Sequence, residues 1–336
     1  MSASTALNKA GPANKTIAGN IRPQNSLKRT LMKIGQNYEL YIFLLPAVAY
    51  IIIFHYAPMY GVQIAFKEFI ATKGIMGSPW IGFEHFERFF NSYQFWRVIK
   101  NTLGLSIYQL VAGFPLPIIL ALMLNSLTNK RYKKIVQTAT YAPYFISTVV
   151  LVAMLQIFLS PRNGLVNVVI QLLGGESVHF IAKPELFKSL YVSSGIWQST
   201  GWNAIIYIAA LSGIDPELHT AAIVDGASRF KRILYIDLPG IMPTAIILLI
   251  LNMGHIMSIG FEKVFLMQND LNITSAEVIS TYVYKVGLGL GGTKSTYGMP
   301  NYGYSTAVNL FNSVINFALL IITNKISKKL TEISLW

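Results

Sequence analysis

DPELHTAAIVDGASRFKRILYIDLPGIMP, residues 215–243, is the one polar, charge-bearing stretch, punctuated by glycine and proline, between two long apolar segments in the second half of the chain. Asp215, Pro216 and Glu217 read as an N-cap, a proline at the first helical position and an acid in the first turn. A short helix is therefore expected to start there and to stop at Gly226. Leu218, Ala221, Ala222 and Asp225 fall at i, i+3, i+4 and i+7, a face of small side chains flanked by an acid, which lets another backbone come close. Ser228 can cap a second short helix with Phe230, Ile233 and Leu234 on one side and charge from Arg229, Lys231 and Arg232. The residue before a proline is pushed out of the helical region, so Leu238-Pro239 is expected to end it. The stretch thus predicts a compact knuckle of two short helices between two membrane spans. On the residues alone, an ordinary loop lying on the lipid headgroups is the other reading.

The rest of the chain supplies the membrane. Of its 336 residues 53% are hydrophobic and 12% charged, against about 25% charged in a soluble domain. Six apolar stretches are long enough to cross a bilayer core, which needs roughly 20 residues of helix: 40–60, 98–127, 135–159, 190–214, 240–261 and 305–323. Lys100 is the one Lys, Arg, Asp or Glu within them, and a charge at a helix centre costs about 2.5–3.5 kcal/mol on insertion scales. Pro115 and Pro117, with Gly113, predict a kink in the second. The reading is an all-α membrane protein with six transmembrane helices, a permease domain over 38–330 and a short C-terminal end at 331–336. Residues 1–37 carry six Lys/Arg and no acid and read as a flexible basic cytoplasmic tail, in which 26–35 can form an interfacial helix. No apolar core of a cleavable signal peptide occurs in the first 25 residues.

Charge placement gives orientation. The tail, 125–134, 213–239 and the end from Asn324 hold 16 of the 27 Lys/Arg, whereas the segments on the other side hold 11 together with eight acids. Positive residues stay inside, so both termini and the 215–243 stretch are expected to be cytoplasmic. The net charge of +13 is then a topology signal and not a nucleic-acid footprint. The dense aromatics Trp80, Phe83, Phe86, Phe89, Phe90, Phe95 and Trp96 suggest an interfacial element lying at the headgroups.

At 215–243 the chain resembles a known family. Thr220-Ala221-Ala222, two residues, Asp225-Gly226-Ala227, then Leu238-Pro239 and Pro243, is similar to the EAA loop of the membrane subunits of binding-protein-dependent ABC importers. The likeness runs from about Tyr38 to the end, including Tyr141-Ala142-Pro143 and 324–329, and is strongest to the sugar permeases for oligo- and polysaccharides. Thr220 stands where the family usually has glutamate, whose expected ion pair with the ATPase subunit a threonine cannot make. The resemblance implies a type I permease architecture in a bacterial plasma membrane. It also implies a second homologous permease, two ATPase subunits carrying ATP and magnesium, an extracytoplasmic solute-binding protein and a saccharide substrate. In that scheme 215–243 docks into an ATPase cleft, and its motion tilts the fourth and fifth spans.

Polar residues inside spans tend to face a bundle interior or a pathway. Tyr141 and Tyr144 in the third span, Trp197, Gln198, Trp202 and Asn203 in the fourth, and Asn252 and His255 in the fifth are the candidate substrate pathway. Tyr and Trp offer a flat apolar face with a hydrogen-bonding edge, which suits a sugar's C–H faces and hydroxyls. Interhelical packing is the other reading of the same residues. No catalytic constellation emerges: there is no cysteine, no paired-histidine spacing and no Walker motif, and glycine-rich 287–292 lacks a following GK[ST]. The expectation is therefore a transport subunit with no catalytic residue, no metal and no cofactor of its own. The other class to weigh is an ion-coupled secondary carrier or channel, for which His255 is the one mid-membrane ionisable candidate.

Overall fold

The computed structural model describes residues 36–290 and 300–335. The expected basic tail with its interfacial helix at 26–35, and part of the glycine-rich 287–292 segment, lie outside the described residues. Two compact units emerge, Met1–Tyr60 and Gly61–Trp336.

In the first unit, Tyr38–Ile51 is α-helical and continues through a five-residue π turn, Ile52–Tyr56, into Ala57–Met59. Its apolar residues Leu40, Phe43, Leu45 and Phe54 are all exposed, as suits a helix that meets lipid or another chain.

The second unit is built on the 29-residue helix Pro184–Ser212, roughly 43 Å long at 1.5 Å per residue. It packs against Gln94–Gly113, Pro115–Ser126, Lys130–Tyr141 and Leu238–Met253. One crossing is backbone to backbone: a Cβ at Gly201 would lie 2.1 Å from the Thr140 carbonyl oxygen, so only glycine fits there. Tyr207, Leu211, Ala204, Ala121, Ile241 and Ala245 form the core at that end. Toward the other end Leu105, Val152, Phe187, Tyr191 and Val264 form a second core. A third gathers Phe89, Val98, Ile279, Tyr282, Tyr304 and Val308.

Among the described residues four helices are long and apolar enough to cross a membrane, Tyr38–Phe66, Gln94–Ser126, Arg229–Met253 and Tyr302–Thr331, or five if one bent pair is a single span. That pair lies in the expected third span, which is not straight: Lys130–Phe145 and Thr148–Phe158 meet at 98°. Pro143 removes a backbone donor inside Ala142–Phe145, Ser147 caps the next helix through Val150 N–H, and Gln198 Nε2 donates to the freed Ile146 carbonyl at 2.7 Å. The expected fourth span is helical and long, but its serines, threonine, glutamine and asparagine keep it out of the apolar set. In the second stretch Phe114, immediately before Pro115, keeps helical backbone between Gln94–Gly113 and Pro115–Ser126, and the two run as one 33-residue helix.

The fifth stretch also departs from expectation. Its helix ends at Met253, and 254–260 is turn and irregular chain, so the periodic stripe from Asn252 to Glu262 is broken. Asn316 holds the opened segment, its Oδ1 accepting from Met257 N–H at 2.9 Å and its Nδ2 donating to Ser258 Oγ at 2.8 Å. Irregular backbone at membrane depth is tolerated where protein or a cavity satisfies it.

The aromatic segment is half interior. Phe89 is fully buried and packs edge-on against Phe95 and Phe311, while Trp80, Phe83 and Trp96 remain exposed. Beside it, the carboxylate of fully buried Glu277 accepts from Arg97 and lies 3.8 Å from Lys285 Nζ, and Asn101 Nδ2 donates to the Thr274 and Glu277 carbonyls.

Candidate functional site

Two features stand out in the second unit: an exposed elbow at 215–243 and a cavity along the long helix. In the elbow, Asp215 Oδ1 accepts from Glu217 N–H at 2.9 Å and Pro216 opens the helix Pro216–Val224. The helix closes in a Schellman motif: Ala227 N–H donates to Ala222 O at 2.8 Å and Gly226 N–H to Ile223 O at 3.0 Å. Gly226 sits at φ +77° to allow this. Nothing lies within 4 Å of where its Cβ would be, so glycine is required here for backbone conformation and not for contact within the chain. Thr220 Oγ1 donates to its own helix, at Pro216 O, 3.2 Å away. Ala221 and Asp225 are exposed, Ala222 and Ala227 partly so, and Leu218, Ile223, Val224 and Phe230 present apolar side chains to the outside.

The second short helix does not stop at Leu238-Pro239. Ser228 caps it as expected, but Arg229–Arg232 runs through a π turn, Ile233–Asp237, into Leu238–Met253, giving one 25-residue helix that contains Pro239 and Pro243. Leu238 N–H reaches back to Ile233 O, and the wider turn makes room for a proline that can neither donate nor fit the tighter spacing. Ile52–Tyr56 before Pro58 repeats the device, with Ala57 N–H bonded to Ile52 O.

Asp237 ties the elbow down. It is 5% exposed, and its Oδ1 lies 3.3 Å from His219 Nε2 on the first elbow helix and 3.4 Å from Asn125 Nδ2 at the end of Pro115–Ser126. The sequence held no signal for this cluster: the three residues are far apart in the chain, and only the fold brings them together.

The cavity, of ≈ 780 Å³, runs between Gln94–Gly113, Pro115–Ser126, the long helix and the opened 254–260 segment. Trp202, Asn203, Asn252 and His255 line it. Tyr141, Tyr144, Trp197 and Gln198 do not. Trp197 points outward, Gln198 is committed to the Ile146 carbonyl, and Tyr144 stacks on Trp202 with ring centroids 4.4 Å apart and planes 2° from parallel. Ser106, Gln109, Ser199 and Ser258 also line the cavity and were not singled out from the sequence, because a lone serine in a span reads equally as packing. The lining holds no Asp, Glu, Lys or Arg. It is a neutral hydrogen-bonding surface with one indole, suited to an uncharged polar molecule or to the hydroxyl-bearing part of a charged one.

YteP of Bacillus subtilis (strain 168), a polygalacturonan/rhamnogalacturonan transport system permease protein, is 40% identical over 305 residues, covering 91% of this chain and 92% of that protein. The crystal structure of a bacterial ABC transporter involved in the import of the acidic polysaccharide alginate has a chain that is 42% identical with a TM-score of 0.80, covering 90% of this chain and 99% of that one. A second structure, of the bacterial alginate ABC transporter in complex with alginate pentasaccharide-bound periplasmic protein, gives 41% identity and a TM-score of 0.81 over 91% and 100% of the two chains. Residues 113–332, which include the elbow and most of the cavity lining, match the family described as the inner membrane component of binding-protein-dependent transport systems, and the chain belongs to that family.

Proposed function

We propose that this chain is the permease subunit of an ATP-driven importer that moves an oligosaccharide or polysaccharide fragment across a bacterial plasma membrane. In this reading six segments span the bilayer, both termini and the elbow face the cytoplasm, and the long polar helix serves as a span because its polar face turns to the cavity. The partners are a second, homologous permease, two ATPase subunits that bind ATP and magnesium, and an extracytoplasmic binding protein that delivers the sugar. The names of the similar proteins, with polygalacturonan, rhamnogalacturonan and alginate among their cargoes, support a saccharide.

The observation that carries the reading is the elbow itself. A capped helix of nine residues, closed by a Schellman turn, offers Ile223, Val224 and Phe230 to the outside while His219 and Asp237 fasten it to the base of the next span. Exposed apolar side chains on an ordered segment fit a covering partner, and a fastened segment passes that partner's motion into Arg229–Met253. Thr220, Ala221, Ala222, Asp225, Gly226 and Ala227 form the docking part; Leu238, Pro239 and Pro243 join it to the span. A ligand-driven change requires that the ATP-closed ATPase pair prefer one orientation of the elbow. Against an ion-coupled carrier, the cavity lining holds no carboxylate or lysine, and His255 is its single basic side chain. Reconstitution tests this: the purified assembly in proteoliposomes should take up saccharide only with ATP and binding protein present. Uptake by the permease without ATPase subunits would overturn the reading.

A further inference from the structure

Immediately behind the cavity wall lies a lysine that neither the neutral lining nor the coupling elbow uses. Lys263, on the short helix Phe261–Met267, is 8% exposed, on an element whose Val264 and Met267 belong to the same core as Tyr191. Its Nζ donates to the Tyr191 carbonyl at 2.8 Å and sits 4.6 Å from the centroid of the Tyr191 ring. An ammonium has three donors, and one backbone acceptor with one ring face leaves it short of partners. Among the described residues no carboxylate lies within ion-pair distance of it. Burial pushes this lysine down to about 8 from 10.5, with no acid offsetting the loss of water. A buried, unneutralised cation is costly to keep, and filling the site with a methionine of similar length would avoid the cost.

Its placement suggests why it is kept. Gly195 lines the cavity, and a Cβ there would be 3.2 Å from Lys263 Nζ. Gly260 lines it too, next to the Tyr191 hydroxyl, which would lie 3.1 Å from a Cβ at that position. The wall is thus bare glycine backbone where this charge stands behind it.

We propose that Lys263 determines specificity for an anionic saccharide, its ammonium meeting a sugar carboxylate past Gly195 while the neutral lining and Trp202 take the hydroxyls and ring faces. This rests on the saccharide-import reading and names the substrate class within it. A uronate-type sugar presents one carboxylate per residue, and a charge-assisted contact in a low-dielectric wall discriminates more strongly than a neutral hydrogen bond. A neutral sugar leaves the ammonium unpaired and gains nothing from it.

The test uses the complete importer in proteoliposomes and a panel of labelled trisaccharides: trigalacturonate, trimannuronate, the carboxyl-reduced form of each, and arabinotriose. The wild type should favour a charged trisaccharide over its reduced form by at least tenfold in kcat/KM. Lys263→Met should collapse that ratio to near one, through KM for the charged sugar, and Lys263→Arg should restore most of it. Should Lys263→Met fail to assemble, Gly195→Ala keeps the lysine and sets a methyl between it and the cavity; it should raise KM for the charged trisaccharide alone. A preference unchanged in Lys263→Met, or unchanged in Gly195→Ala where that variant carries the test, overturns the proposal. A wild-type importer that takes only neutral trisaccharides overturns the lysine's role and leaves saccharide import standing. An importer that moves no trisaccharide of the panel overturns the import reading and this proposal with it.

Discussion

His219 Nε2 lies 3.3 Å from Asp237 Oδ1, and this contact joins the first helix of the elbow to the foot of the 25-residue helix that follows it. The two residues are separated by the whole Schellman turn and the second short helix, so without the contact the elbow could swing on Gly226 without moving the span. Asp237 also receives Asn125 Nδ2, which brings the end of Pro115–Ser126 into the same joint. In the proposed mechanism a push on the elbow would reach Arg229–Met253 and Pro115–Ser126 through one buried carboxylate.

The first prediction follows from that joint. Asp237→Leu severs both contacts and should lower uptake per ATP hydrolysed by tenfold or more while the assembly still forms. Asp237→Asn keeps an oxygen to accept from His219 and Asn125 and should retain most of the coupling. The ratio of transport to hydrolysis in proteoliposomes is the readout. Equal coupling in the wild type and the leucine variant would mean that the joint is not part of transmission.

The second concerns Gly226. At φ +77°, with open space around its missing Cβ, a side chain costs left-handed strain of about 1–2 kcal/mol and no clash within the chain. Asparagine tolerates that region best among non-glycine residues. Uptake should therefore fall in the order glycine, asparagine, alanine, leucine, and Gly226→Leu, which also sets bulk on the docking face, should abolish it with the protein still in the membrane. Full transport by Gly226→Leu would remove the elbow from the mechanism.

What the sequence made legible was local. The Asp215-Pro216-Glu217 start, the Gly226 stop and the Ser228 cap each follow from the chemistry of neighbours within four residues, and each is present. The misreadings came from prolines in context. Pro239 forbids a regular α-turn, but a π turn at Ile233–Asp237 absorbs it and the helix goes on; past Pro143, by contrast, the chain leaves the helix at Ile146 and Ser147 and turns through 98°, with Gln198 satisfying the opened backbone. Nothing within a few residues of either proline tells the two outcomes apart. The cavity was half legible. Asn252 and His255 line it, though not as one helical stripe, because Asn316 holds 254–260 open from about 60 residues away. Lys263 read as one more outward charge until packing put it behind Gly195.

Acid should loosen the packing around Glu84–Phe90 through His85. That side chain is buried, with Nε2 3.1 Å from the Lys67 carbonyl and its ring against Tyr304. Burial holds it below its ordinary 6.5; the Lys67 carbonyl opposes this, Arg88 adds to it, and Glu84 and Glu68 oppose it more weakly. A folded-state value depressed in this way means that the unfolded segment binds the proton more readily. The contribution to stability is complete above about pH 6.5 and is lost as pH falls. The melting temperature in detergent should drop on acidification below 6.5, and His85→Gln, which can still donate to Lys67 O, should flatten that drop. An identical pH profile in the two proteins would assign the acid sensitivity elsewhere.

Trp202 carries the last prediction. One face of its indole is covered by Tyr144 at 4.4 Å and Phe145 meets it edge-on at 5.7 Å, yet the residue lines the cavity and remains 39% exposed. The stack fixes the ring so that its uncovered surface is presented in one orientation, with Asn203 beside it as a hydrogen-bonding group. A pre-oriented aromatic loses little freedom when a sugar ring packs on it, and aromatic packing is worth about 0.5–1.5 kcal/mol beyond area alone. Trp202→Ala should raise KM for the transported saccharide by roughly threefold to tenfold on that basis, and Trp202→Tyr should recover part of it. Tyr144→Ala leaves the indole in place but unsupported, so its effect should be smaller and of the same kind. If Tyr144→Ala raised KM while Trp202→Ala did not, the tyrosine would be the contact and the tryptophan its support, reversing the roles assigned by the cavity lining.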